Sequence, residues 1–173
     1  MASLSLALLA GMAQAAPVAD VHALAQKQQQ PLLDTLRDLV QIESGSKDIE
    51  GLNQIAQRIA SQLQQAGGEA QVLQTSDIYR LDDTPEKVGP AVQAVFKGTG
   101  TKKIMLIAHM DTVYLKGMLK DQPFRIDGDK AYGLGIADDK QGVALILHTV
   151  AMLQQLKFKD YGTLTVLING DEE

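Results

Sequence analysis

Apolar positions recur along the chain with two periods, and the changes between them mark the elements. Leu32, Leu33, Leu36, Leu39 and Val40 fall at helical spacing behind Pro31, so a first amphipathic helix is expected there. Leu52, Ile55, Ala56, Ile59, Ala60 and Leu63 repeat the pattern, and Gly67-Gly68 supplies a stop because glycine accepts the left-handed conformation past a helix end. Strands are expected at Ala70 to Gln74, Val92 to Phe96 and Ile104 to Ala108, with the polar, turn-rich stretch Asp77 to Pro90 as a surface loop. Ile104 to Ala108 and Leu164 to Ile168 are apolar at nearly every position instead of alternating, which predicts strands covered on both faces. Between them, Phe124 to Tyr132 around Asp127-Gly128 reads as a hairpin and Val143 to Leu156 as a helix. Val143, Leu145, Ile146, Leu147, Val150, Met152 and Leu153 nearly encircle that helix, implying deep packing on a sheet. The order of elements predicts an α/β layered domain with a mixed, largely parallel sheet flanked by helices.

Upstream, Ala23 to Gln30 is Gln-rich and reads as a linker or the start of a helix, so residues 17–30 are set apart from a domain over 31–173. Met1 to Ala16 is apolar and uncharged and ends in small residues before Pro17, the pattern of a secretory signal, though without a cationic start. A periplasmic or secreted location is therefore expected, with a mis-started N-terminus as the alternative. No run reaches the ~18 to 20 apolar residues that a membrane span needs.

Composition narrows the chemistry. The 173 residues are 45% hydrophobic and 21% charged with 15 Gly and 5 Pro, which fits a globular chain and excludes collagen-like or disordered classes. A chain of this length can bury ~70% of its unfolded surface. The net charge of -5, with no basic patch, argues against nucleic acid as a partner. Cysteine is absent, so disulfides, a thiolate nucleophile and a Cys-based metal site are all excluded. With only three histidines, His22, His109 and His148, a metal site would have to be rich in carboxylates.

Three groups of such residues stand at the ends of expected elements: His109 and Asp111, Asp138 and Asp139, and Asp171-Glu172-Glu173. Ligands of open parallel sheets bind beyond the carboxyl ends of the strands, so the groups can converge. Each alone has a plainer explanation: a hydrogen-bonded histidine, a helix-capping aspartate pair, a solvated acidic end. Together they suggest more. His-x-Asp lets the carboxylate accept the second imidazole N–H and orient the ring, and two adjacent Glu side chains can divide metal binding from proton transfer. His148, inside a helix, and His22, in the polar N-terminal stretch, are expected to have structural roles. Gly133-Leu134-Gly135 lacks the third glycine of a dinucleotide loop, and Asp138 in its place would repel pyrophosphate.

With His109-Met110-Asp111-Thr112-Val113, Gly133 to Lys140 and Asn169-Gly170-Asp171-Glu172-Glu173, the chain resembles the di-zinc amidohydrolases and exopeptidases. That family includes acetylornithine deacetylase, succinyl-diaminopimelate desuccinylase and the glutamate carboxypeptidases. The stretch His109 to Gly117 and Gly135 to Lys140 look most like the glucarpidase-type branch. The resemblance implies a zinc-exopeptidase-like catalytic domain, truncated here at Glu173, with two zinc ions in the complete site. It makes His109 a ligand of one zinc, Asp138 the bridging carboxylate, Glu173 a ligand of the second, Asp111 the residue that orients His109, and Glu172 the general base. It also implies a cis Asp138–Asp139 peptide, while Gln141 departs from the family by standing where glycine is common. Further ligands and a lid domain that forms a homodimer are expected beyond residue 173, so the isolated chain is expected to bind zinc weakly and turn over little. The implied activity is hydrolysis of an amide in a peptide or acyl-amino acid, releasing a C-terminal amino acid, glutamate on the branch assignment. The alternatives are a small-molecule N-deacylase or dipeptidase of the same family, and a non-catalytic exported binding domain.

Overall fold

The structure, a computed structural model, describes residues 18–82 and 84–173. The signal-like stretch Met1 to Ala16 therefore lies outside the described residues. Helix α1 (Ala19–Lys27) runs almost directly into α2 (Gln29–Val40), so the Gln-rich stretch is helix rather than linker. Pro31 sits in the first turn of α2, where a missing N–H and a fixed φ are tolerated. Helix α3 (Ile49–Gln65) starts where the Asp48 side chain accepts from Gly51 N, and ends before Gly67, whose φ of 87° is the left-handed conformation expected of a stop.

Four strands form the main sheet in the order β1 (Glu69–Leu73), β2 (Ala91–Lys97), β6 (Thr163–Asn169), β3 (Lys103–His109). A small hairpin of β4 (Arg125–Asp127) and β5 (Lys130–Tyr132) follows β3, and α4 (Gln141–Gln155) returns the chain to β6. The sheet is mixed. Among the described residues, β1 with β2 and β2 with β6 pair antiparallel and only β3 with β6 is parallel, so the parallel share is smaller than the apolar runs suggested. The parallel pair is in register from Lys103 opposite Thr163 to His109 opposite Asn169, so two motif-bearing strands end side by side.

Leu36, Leu39 and Val40 from α2, five apolar residues of α3 from Ile55 to Leu63, and Val143, Ala144, Leu147 and Val150 from α4 bury against one face of this sheet. That face presents Val92, Ala94 and Phe96 of β2 and Leu164, Val166 and Ile168 of β6. Burying a side chain of this size contributes about 1.5–3 kcal/mol. The expectation that Ile104 to Ala108 and Leu164 to Ile168 are covered on both faces is corrected here. β6 alternates buried and half-buried positions, and edge strand β3 leaves Met105 and Ile107 exposed at 51% and 66%. Among the described residues the helices cover only one face, and β3 has a neighbour on one side only. The apolar encirclement of α4 is likewise incomplete, since Leu145 is exposed.

Candidate metal centre

The carboxyl ends of β3 and β6 deliver the first two groups to one place. Met110 N donates to Asn169 O at 2.8 Å, carrying the ladder past the last strand residues. Beyond that rung, Asp111 is fully buried and its Oδ2 accepts from Glu172 N at 2.9 Å and Glu173 N at 3.0 Å. One carboxylate thus fixes the backbone of the Glu172-Glu173 turn. Its other oxygen, Oδ1, has no hydrogen-bond donor within bonding geometry and faces His109 Nδ1 at 3.3 Å.

His109 is 8% exposed, and its Nδ1 also lies 3.2 Å from the Asp111 carbonyl oxygen. Two oxygen acceptors beside Nδ1 place the ring proton there and turn the Nε2 lone pair outward. Nε2 meets Asp138 Oδ1 at 2.9 Å and Glu172 Oε2 at 3.9 Å. A lone pair opposite carboxylates calls for a cation or a proton between them. Burial draws the His109 pKa down, but the hydrogen bond that the protonated ring donates to Asp138 and the charges of Asp111, Glu172 and Asp138 outweigh it, and the net shift is upward.

The third group arrives on the irregular turn Ile136–Lys140, in which Asp138 and Asp139 leave helical φ/ψ and their peptide bond is cis, as the resemblance implied. The two aspartates divide their tasks. Asp139 Oδ1 accepts from Gly142 N at 3.2 Å, the helix-capping role expected of the pair, and Asp138 is directed to His109 instead. Gly135 precedes them at φ 70°, and a Cβ there would fall 2.5 Å from Thr112 Cγ2, so glycine is required for this turn to approach the end of β3. Gln141 is exposed and donates to Ala137 O, so its departure from the family pattern disturbs no packing.

His109, Asp138 and Glu173 each offer one ligand atom, and these atoms all lie within 4.8 Å of one another. Burial first, then Asp138, Glu172 and Asp111, push the Glu173 pKa up against a smaller opposite pull from His109. Carboxylates crowded around one imidazole nitrogen form a hard nitrogen–oxygen donor set, which suits a divalent cation such as zinc. Beside it, a cavity of about 500 Å³ opens between Gly45–Asp48 and Thr112–Lys116, with Glu173 at its edge. The remaining histidines lie apart from these groups. His148 Nε2 meets Thr35 Oγ1 at 2.9 Å and its Nδ1 meets Gln28 Oε1 at 3.1 Å, while His22 is exposed on α1.

Sequence reasoning passed over the segment between α2 and α3. Glu43 accepts from Gly117 N and Leu119 N, Ser44 Oγ donates to Met110 O, and Ser46 Oγ donates to Asp111 Oδ2. Lys140, 1% exposed, donates from Nζ to Ile42 O at 2.7 Å, and burial pushes its pKa down to about 8 against the opposing charge of Glu43. The available signal was the polar cluster Glu43-Ser44-Gly45-Ser46 set between two apolar helices.

Residues 105–173, which contain all of these motif residues, match the family described as Peptidase family M20/M25/M40. Over 173 residues the chain is 43% identical to carboxypeptidase G2 of Pseudomonas sp. (strain RS-16), an alignment covering 99% of this chain and 40% of that protein. Residues 105–173 carry the signature of the peptidase family M20/M25/M40. A second M20 relative, the succinyl-diaminopimelate desuccinylase of Gluconobacter oxydans, is 40% identical over 79 residues, 44% of this chain and 20% of that protein. The fold is shared with human carnosine dipeptidase 1 at a TM-score of 0.72 and 21% identity, covering 88% of this chain and 34% of that one. It is shared equally with the di-peptidase Dug1p from Saccharomyces cerevisiae, at a TM-score of 0.73 and 19% identity, covering 89% and 34%. The chain thus spans less than half the length of these M20 relatives. Among the described residues no helix is long and apolar enough to cross a membrane.

Proposed function

We propose that the complete protein hydrolyses an amide bond with zinc at this centre and releases a C-terminal amino acid, glutamate by the resemblance of His109 to Gly117 and Gly135 to Lys140 to the glucarpidase-type branch. The observation that carries the reading is the convergence of His109, Asp138 and Glu173 within 4.8 Å, with the Glu172 carboxylate beside them and open space adjoining. His109 and Glu173, together with the Asp138 carboxylate shared between them, would hold the zinc. When bound, zinc supplies Lewis acidity, lowering the pKa of water from ~15.7 to about 7 and polarising the scissile carbonyl.

This chain's residues do the rest. Asp111 keeps the His109 ring in register and anchors the Glu172 and Glu173 amides. Glu172, 58% exposed at its side chain and 3.9 Å from His109 Nε2, takes the proton from the attacking water and returns it to the leaving amine. The substrate enters through the cavity beside Glu173, which has room for an acylated amino acid. Export is proposed on the pattern of Met1 to Ala16, to be checked by sequencing the N-terminus of the mature protein, and a homodimer on the resemblance alone, to be checked by sedimentation.

Glu172→Ala in the complete protein tests the reading. Turnover falls by about 10²–10⁴-fold while bound zinc is retained, and full retained activity overturns the base assignment. Acylated glutamates, folates, dipeptides and acetylornithine offered as substrates separate the carboxypeptidase from a deacylase or dipeptidase. Hydrolysis of none of them, with metal bound, favours the non-catalytic binding domain.

A further inference from the structure

Two of the three motif segments, the end of β3 and the Asp138 turn, are tied to a loop that none of the three contains. Between α2 and α3, Ile42 O receives Lys140 Nζ from the Asp138 turn, and Ser44 Oγ donates to Met110 O at the end of β3. Thr112 N donates to Ser44 O and Ser46 N donates to Thr112 O, pairing the loop with the His109 segment like a short strand. All of these bonds end on main-chain atoms. Ser46 makes one of another kind: its Oγ donates to the buried Asp111 Oδ2 at 3.1 Å, with Thr112 O as a longer alternative at 3.4 Å.

Asp111 is where the groups meet. Its Oδ2 is shared by Ser46 Oγ, Glu172 N and Glu173 N, and its Oδ1 lies against His109 Nδ1. The terminal torsion of an aspartate is broad and two-fold, so the carboxylate does not fix its own orientation. The donors on Oδ2 do. We propose that Ser46 is a positioning residue of the metal centre: its hydroxyl locks the Asp111 carboxylate so that one oxygen stays on His109 and the other on the Glu172–Glu173 amides. Loss of that donor lets the carboxylate turn, and the imidazole ligand and the glutamate pair shift with it. Asp111 is the direct partner of the ligand His109, the kind of residue whose loss typically changes metal affinity by about 10–100-fold, and Ser46 acts through it.

The activity readout rests on the hydrolase reading above, but metal affinity and ligand geometry do not. Ser46→Ala and Ser46→Thr are compared with wild type in the complete protein, by competition for zinc against a chelator, by the visible spectrum of the cobalt(II) form, and by kcat and KM. Ser46→Ala is expected to weaken metal binding about 10-fold, alter the cobalt spectrum, and lower kcat with KM within twofold. Ser46→Thr, which keeps the hydroxyl, restores all three. Unchanged metal affinity and spectrum in Ser46→Ala overturn the proposal, as does a rise in KM with kcat intact, which would make Ser46 a substrate contact. A threonine variant as impaired as the alanine variant overturns it too. If the wild-type protein cleaves no amide, the hydrolase reading fails, and affinity and spectrum still decide the role of Ser46.

Discussion

Strands β3 and β6 lie side by side, parallel and in register, and both are written in almost wholly apolar residues, yet the fold treats them differently. On the helix-covered face β6, with partners on both sides, buries Leu164 and Val166, while their register partners in β3, Ile104 and Leu106, are exposed and half-buried, since among the described residues β3 pairs with β6 alone; Met105 and Ile107 lie on the uncovered face and are exposed. At their carboxyl ends the difference vanishes. His109 and Asp111 leave β3, Asp171 to Glu173 leave β6, and Asp111 joins the two exits through bonds to Glu172 N and Glu173 N. Burial along a strand is set by the face a side chain occupies and by the strand's neighbours in the sheet, and order at its end is set by hydrogen bonds to a buried acceptor. The second does not depend on the first.

The lateral half of that comparison is the easiest to break and carries the largest effect. Ile168→Ala opens a cavity beside Val92, its register partner in β2, and is expected to cost about 2–5 kcal/mol by urea denaturation. Ile107→Ala removes a side chain that is 66% exposed and is expected to cost under about 0.5 kcal/mol. Equal losses at the two sites would show that the open face of β3 is as covered as the helix-packed face of β6. Asp111→Asn tests the shared end. It keeps the shape, removes the charge and sets an amide against donors, so about 1–3 kcal/mol of stability and about 10–100-fold in metal affinity are expected to go together. Loss of stability with metal affinity intact would separate the two exits.

The smallest effect sharpens the role of the loop that braces them. Hydrogen bonds from Leu119 N and then Gly117 N hold the Glu43 carboxyl below its usual range, with Lys116 helping and burial and Asp48 opposing. A depressed folded-state pKa contributes stability that is present above the unfolded value, ~4.3 for a glutamate, and lost as pH falls through the lower folded value. Wild type is therefore expected to exceed Glu43→Gln by under about 1 kcal/mol at neutral pH, after allowance for solvent screening. Thermal melts from pH 7 to 3 should show that gap closing. A gap that widens on acidification would contradict the assigned hydrogen bonds.

Much of this molecule was legible in its sequence because periodicity reports local geometry. The helices over Leu32 to Val40 and Leu52 to Leu63 fall inside α2 and α3, and Asp127-Gly128 marked the hairpin. The site residues were legible for a different reason. His109, Asp138 and Glu173 stand in short motifs at the ends of elements, where a side chain of that type has few ordinary tasks, although Asp139 showed that one ordinary task, the helix cap, was also present. What stayed hidden depends on neighbours. An apolar run does not say whether its strand lies at an edge or has one face open, so the exposure of Ile107 was unreadable, and so was the mainly antiparallel pairing. The contribution of Ser44, Ser46 and Glu43 was equally hidden, because polar residues in a connection carry no period, and their partners lie more than 60 residues away in sequence.

The central claim is that His109, Asp138 and Glu173, drawn from three separate segments, hold metal together. Cobalt(II) titration of the complete protein, followed by visible absorption, tests it most directly. His109→Ala, Asp138→Asn and Glu173→Gln are each expected to weaken binding by at least about tenfold and to change the spectrum, while His148→Ala leaves both as in wild type. Identical titrations for wild type and all three ligand variants would contradict the account.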